Sequence, residues 1–113
     1  MSVLGGLGTA GFRGAGNLLS RGPEGRRLVI LHYHRVPDAP DPLCPDLLER
    51  QAFALHMQAL AEVFHVVPLD EGLARLRDGT LGLRAVAITF DDGYADNYAV
   101  ALPVLQHFGL HAT

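Results

Sequence analysis

Apolar and polar positions follow two different periods along the chain. Leu28-Val-Ile-Leu-His-Tyr-His34 reads as a strand, and the strand's period of two puts His32 and His34 on one face and Leu31 and Tyr33 on the other. The segment Arg35–Pro42 holds Pro37, Pro40 and Pro42 and is excluded from regular structure. From Glu49 to Phe64 the apolar residues Phe53, Met57, Leu60 and Phe64 recur at helical spacing, predicting an amphipathic helix. His65–Leu69 reads as a short strand, with Pro68 marking an edge or a strand end. Asp70 is the expected N-cap of a short helix running to about Arg77 and closed by Gly79. Ala85–Phe90 is mostly apolar and partly β-branched, as a strand buried on both faces would be. Asp96–Phe108 is again helical in period, with Pro103 either kinking it or opening a second helix, and Gly109 suits the residue that ends it. Leu110–Thr113 begins another apolar segment. Strands alternating with helices predict an α/β fold with parallel pairing.

Composition narrows the class. With 113 residues, 49% of them hydrophobic, and a net charge of −3, the chain can build one small core and carries no basic footprint for nucleic acid. Its single cysteine, Cys44, has no partner for an internal disulfide and no neighbouring base in sequence, so it reads as inert. Residues 1–27 read as a flexible leader and linker. Met1–Ser20 is Gly-rich and lacks a basic stretch ahead of its apolar part, unlike a secretory signal, and Ser20–Arg27 is polar with Gly22, Pro23 and Gly25. No run approaches the roughly 18 apolar residues of a membrane span. Cytoplasmic and envelope-associated locations both stay open.

The chemistry gathers where the buried strand ends. Asp91 and Asp92 stand side by side there, before Gly93. Burying unpaired carboxylates is costly, and strand C-termini in α/β folds are where sites are built. One carboxylate could bind a divalent cation while the other stays free as general base. A helix cap, a salt-bridged pair or a simple Asp-Gly turn would explain the same residues. His32 and His34 could both reach a metal, although a satisfied structural histidine is the commoner situation for either alone. Tyr94 and Asn97 are candidates to line a pocket, or simply residues of a helix start. His56, His65, His107 and His111 are unclustered and read as structural or surface positions.

Thr89-Phe-Asp-Asp-Gly-Tyr94 resembles the first motif of the polysaccharide deacetylases, the NodB-homology group or carbohydrate esterase family 4. Ile30-Leu-His-Tyr-His-Arg-Val36 resembles the first strand of many members, and Ala101–Thr113 resembles the helix and strand opening that follow the motif. The resemblance covers residues 28–113. It implies the N-terminal βα units of an incomplete, distorted (β/α) barrel and a hydrolase of carbohydrate metabolism that removes N- or O-linked acetyl groups from a polysaccharide. By position, Asp91 would be the general base, Asp92 a ligand of a divalent metal (zinc is the expected ion) and His34 the general acid. His32 stands where an apolar residue is expected and receives no role. The remaining two metal ligands, both histidines, come from a later motif that these residues do not include. The 113-residue chain alone is therefore expected to hold metal weakly and to be inactive. A truncated non-catalytic protein or glycan-binding remnant is the alternative. A receiver-like phosphoacceptor domain fits poorly, because it needs its acidic pair on the first strand. An amidohydrolase built on His32 and His34 lacks its other ligands.

Overall fold

A computed structural model describes residues 21–22 and 25–113; most of the leader expectation, at residues 1–20, 23 and 24, lies outside them. Where the sequence suggested only linker, Arg21–Gly22 (β1) and Gly25–Arg26 (β2) form a two-residue antiparallel ladder pairing Arg21 with Arg26 and Gly22 with Gly25. The main sheet has three parallel strands, Leu28–Tyr33 (β3), His65–Val66 (β4) and Ala85–Phe90 (β5), in the order β3-β5-β4. The mostly apolar run is thus the central strand, and Ala85 to Ile88 are all buried. The chain is an α/β protein with a parallel sheet, as the alternation of periods predicts.

Helix α1, Arg50–Val63, begins where Glu49 accepts hydrogen bonds from the free amides of Gln51 and Ala52 at 2.7 and 2.8 Å. It buries Phe53, Met57, Leu60 and Val63; Phe64, expected in the stripe, caps the helix and is half-buried. The stripe meets Val86 and Ile88 from β5 and Val100, Ala101 and Leu105 from the last helical segment, with Val36 filling the space beside them. Each of these larger side chains, fully buried, contributes about 1.5–3 kcal/mol of apolar transfer. The opposite face of the sheet is met by α2, Leu69–Asp78, which packs on β3 and β5. Gly72 makes that approach close, since a Cβ there would lie 3.0 Å from a methyl of Leu28 and 3.1 Å from one of Val67.

Two local expectations need correction, and the alternative left open at Pro103 is decided. The strand expected over His65–Leu69 is only two residues long, because Pro68 has no amide for the ladder and its fixed φ starts a helix instead. For the same reason Pro68, not Asp70, is the N-cap of α2; Asp70 lies inside the first turn and accepts from the Glu71 amide at 2.8 Å. Pro103 sits in the first turn of α3, Leu102–His107, and the preceding turn, Asn97–Ala101, is widened into a π-helix. Pro103 offers no amide to residue 99, and the Leu102 amide bonds back five residues to the Asn97 carbonyl. Gly79 and Gly109 do end their helices, with φ of +73° and +66°. Past Gly109 the chain returns to the sheet: the Thr113 amide donates to Ile88 O at 2.9 Å and the Phe90 amide to Thr113 O at 2.8 Å. This is the parallel ladder expected of the apolar segment Leu110–Thr113.

Candidate acid–base and metal site

The register of β3 on β5 assembles the site. His32 pairs with Thr89 and Tyr33 with Phe90, so the two strands end level with each other. The Asp91 amide extends the ladder by one bond, donating to Tyr33 O at 2.9 Å. Alternation then puts Asp91 on the face of Thr89, beside His32 and His34. Thr89 braces that face by donating its hydroxyl to Leu31 O at 2.9 Å. One residue later the strand stops, because Asp92 and Gly93 both adopt positive φ, +68° and +59°. Aspartate tolerates that region better than most residues, and the turn brings its carboxylate back toward the strand ends.

The side chains pair across the strand ends. His32 Nε2 lies 2.8 Å from Asp91 Oδ2, a charge-assisted hydrogen bond when the imidazole is protonated. His34 Nε2 lies 3.8 Å from Asp92 Oδ2, beyond direct hydrogen bonding. The two imidazoles stack, with centroids 4.8 Å apart and planes within 17°. All four side chains are half or more exposed, so their mutual attraction adds little to stability, and they are accessible to solvent and to a ligand. One ligand atom each from His32, His34 and Asp91 lies within 4.8 Å of the others.

A polar clamp holds the segment that carries His34. Asp96, at the start of the last helical segment, accepts from the Val36 amide at 3.2 Å and from Arg35 Nε at 3.1 Å. Asn97 donates its side-chain amide to His34 O at 2.8 Å. The Arg35 guanidinium in turn lies 5.2 Å from the centroid of the Tyr94 ring, within cation–π range. Tyr33, beneath the site, stacks on Phe90 and meets Phe53 edge-on, and burial pushes its phenol above the ordinary tyrosine value.

The structure therefore gathers Asp91, Asp92, His32 and His34 at one end of the sheet. Asn97 and Tyr94 stand beside them, engaged with His34 and Arg35 respectively. Asn97 also lines an open groove of about 650 Å³ running from Phe90 to Thr113, which the four site residues do not line. The family resemblance gives two participants no role, although the place of His32 on its strand makes it a candidate metal ligand. His32, given no role, is the residue in contact with Asp91, and the alternation that put it on the face of His34 was the available signal. Asp96 could not be singled out, because its partners lie 60 and 61 residues away. His56, His65, His107 and His111 are all exposed and away from the site.

The chain is similar to known proteins in sequence and in fold. The sequence profile of the polysaccharide deacetylase family matches residues 78–113. The Bacillus subtilis (strain 168) protein YxkH, classed with the polysaccharide deacetylases, is 35% identical over 89 residues, covering 77% of this chain and 30% of that protein. Among solved structures, a de-N-acetylase from Aggregatibacter actinomycetemcomitans superposes with a TM-score of 0.63 at 27% identity, over 75% of this chain and 35% of that one. The Streptococcus pyogenes deacetylase PplD, solved in complex with acetate, gives 0.66 at 25% identity over 75% and 40% of the respective chains. IcaB from Ammonifex degensii gives 0.57 at 30% identity over 75% and 36%. The chain thus spans about a third of the length of the relatives it matches.

Proposed function

This chain is a relative of the polysaccharide deacetylases, and on that premise we propose that it supplies the acid–base half of a metal-dependent hydrolase that removes acetyl groups from a polysaccharide. The observation that carries the reading is the placing of two carboxylates and two imidazoles together at the C-terminal ends of adjacent parallel strands. The domain would be residues 28–113 of a NodB-homology domain, with β3, β4 and β5 as strands of its distorted barrel.

The donor chemistry fits a divalent ion such as zinc, which takes imidazole nitrogen and carboxylate oxygen. Asp92 would hold it, at the turn that directs its carboxylate out of the strand. When bound, the ion supplies Lewis-acid polarisation of the acetyl carbonyl and of water. Asp91 takes the proton from the attacking water. His32, 2.8 Å away, fixes the orientation of that carboxylate. His34 gives a proton to the departing amine or alcohol, its backbone held by Asn97. Tyr94 and Asn97 border the approach of the sugar.

Acetate release from an acetylated polysaccharide by the gene product carrying these residues tests the reading. Asp91→Asn keeps the size of the side chain and removes the base, so release should fall by about two orders of magnitude or more. Equal release by both proteins would remove Asp91 from the mechanism. Glycan binding that needs no metal, with no acetate released by either, would favour a non-catalytic glycan-binding protein instead.

A further inference from the structure

We propose that His32, His34 and Asp91 form a binding site of their own for a divalent transition-metal ion, separate from the metal position assigned to Asp92. The inference goes beyond the proposed function, in which His34 and Asp91 are the free acid and base and His32 binds no ion.

The argument is geometric. His32 and His34 are two residues apart on one strand, so the backbone itself presents both imidazoles on one side. Their Nε2 atoms, or the alternative Nδ1, and one oxygen of Asp91 lie within 4.8 Å of one another, with His32 Nε2 and Asp91 Oδ2 at 2.8 Å. A tetrahedral ion with bonds of about 2.0–2.1 Å needs its ligand atoms roughly 3.3 Å apart. The present spacing brackets that value, and rotation of exposed side chains can reach it without moving either strand. The Asp91 backbone is already fixed by its amide, which donates to Tyr33 O. Two imidazoles and one carboxylate select zinc, cobalt, nickel or copper over magnesium or calcium. Since all three side chains are half-exposed, water can complete the coordination. An ion there would occupy the carboxylate that must accept a proton and the imidazole that must donate one, so it would act as an inhibitor rather than a cofactor.

Isothermal titration calorimetry of the 113-residue chain with zinc chloride, and separately with magnesium chloride, tests the site. The expected result is one zinc equivalent bound and none of magnesium. His32→Gln should weaken zinc binding by at least about tenfold, while His56→Gln, at an exposed histidine outside the cluster, changes it by less than about threefold. Nuclear magnetic resonance of the imidazole protons provides a check that needs no variant to fold: zinc should move the His32 and His34 signals and leave those of His56 and His107 in place. Absence of zinc binding, or binding lost in Asp92→Asn and retained in His32→Gln, would overturn the proposal. None of these readouts requires catalysis, so a failed acetate assay and a failed metal site are distinguishable.

Discussion

Removing the Asp96 carboxylate should cost more stability than removing the arginine it pairs with. Val36 is fully buried, and its amide donates to Asp96 Oδ1 at 3.2 Å; the Asp96 side chain is itself only 13% exposed. Asp96→Ala leaves that amide without its acceptor, and a hydrogen bond to a charged group is worth about 1.5–3 kcal/mol. The Arg35–Asp96 ion pair is different, because the arginine is 47% exposed and such pairs contribute about 0–1 kcal/mol. Asp96→Ala should therefore destabilise the chain by about 2–3 kcal/mol, whereas Arg35→Ala costs about 0–1. Asp96→Asn keeps an oxygen acceptor and loses the charge, so it belongs with Arg35→Ala. For a domain of this size the alanine variant should unfold roughly 5–15 °C lower. Urea unfolding followed by circular dichroism gives the three values, and hydrogen exchange at the Val36 amide reports the broken bond directly. Equal losses in Asp96→Ala and Arg35→Ala, or unchanged exchange at Val36, would refute the reasoning.

Other substitutions probe separate features. Phe53, fully buried between Tyr33 and Phe90, should cost about 3–5 kcal/mol when changed to alanine, measured by the same unfolding assay. Gly109→Ala places a Cβ at φ +66° in otherwise open space and should destabilise by about 1 kcal/mol from backbone strain alone. Gly82→Ala, at a position without positive φ and with only ordinary contact to His65, should be neutral or stabilising by up to about 1 kcal/mol. Burial raises the Tyr33 phenol above its ordinary 10.0, so the unfolded chain ionises first as pH rises. Its contribution is fully present below pH 10 and is lost on going above it; Tyr33→Phe should flatten that alkaline decline in unfolding free energy.

Much of the architecture could be read from the sequence because the signals were local. The apolar, β-branched run opening Leu28–Tyr33, the helical stripe through Phe53, Met57 and Leu60 and the mostly apolar run Ala85–Phe90 each mark an element locally. The order β3-β5-β4 has no such local mark, since it depends on where two crossover helices pack. Asp70 has a residue type that suits a cap, but the fixed φ of Pro68 starts the helix before it. The widened turn before Pro103 arises from the competition between a missing amide and the need to bury Val100, Ala101 and Leu105. At the site, the acidic pair was legible as two carboxylates at the end of a buried strand, although both side chains are half or more exposed. The partner of Asp91 was not, because choosing His32 over His34 requires the register of two strands 57 residues apart, Leu28 against Ala85. The residues fixing His34 came from the helix after the motif, at a distance the sequence does not encode in any period.

The central claim, that Asp91 is the base of a glycan deacetylase, is tested most directly by acetate release. The gene product carrying this chain would be supplied with zinc and an acetylated polysaccharide and compared with its Asp91→Asn variant, both confirmed as folded. The account predicts release by the first and a loss of about two orders of magnitude or more in the second. Undiminished release by Asp91→Asn would contradict it.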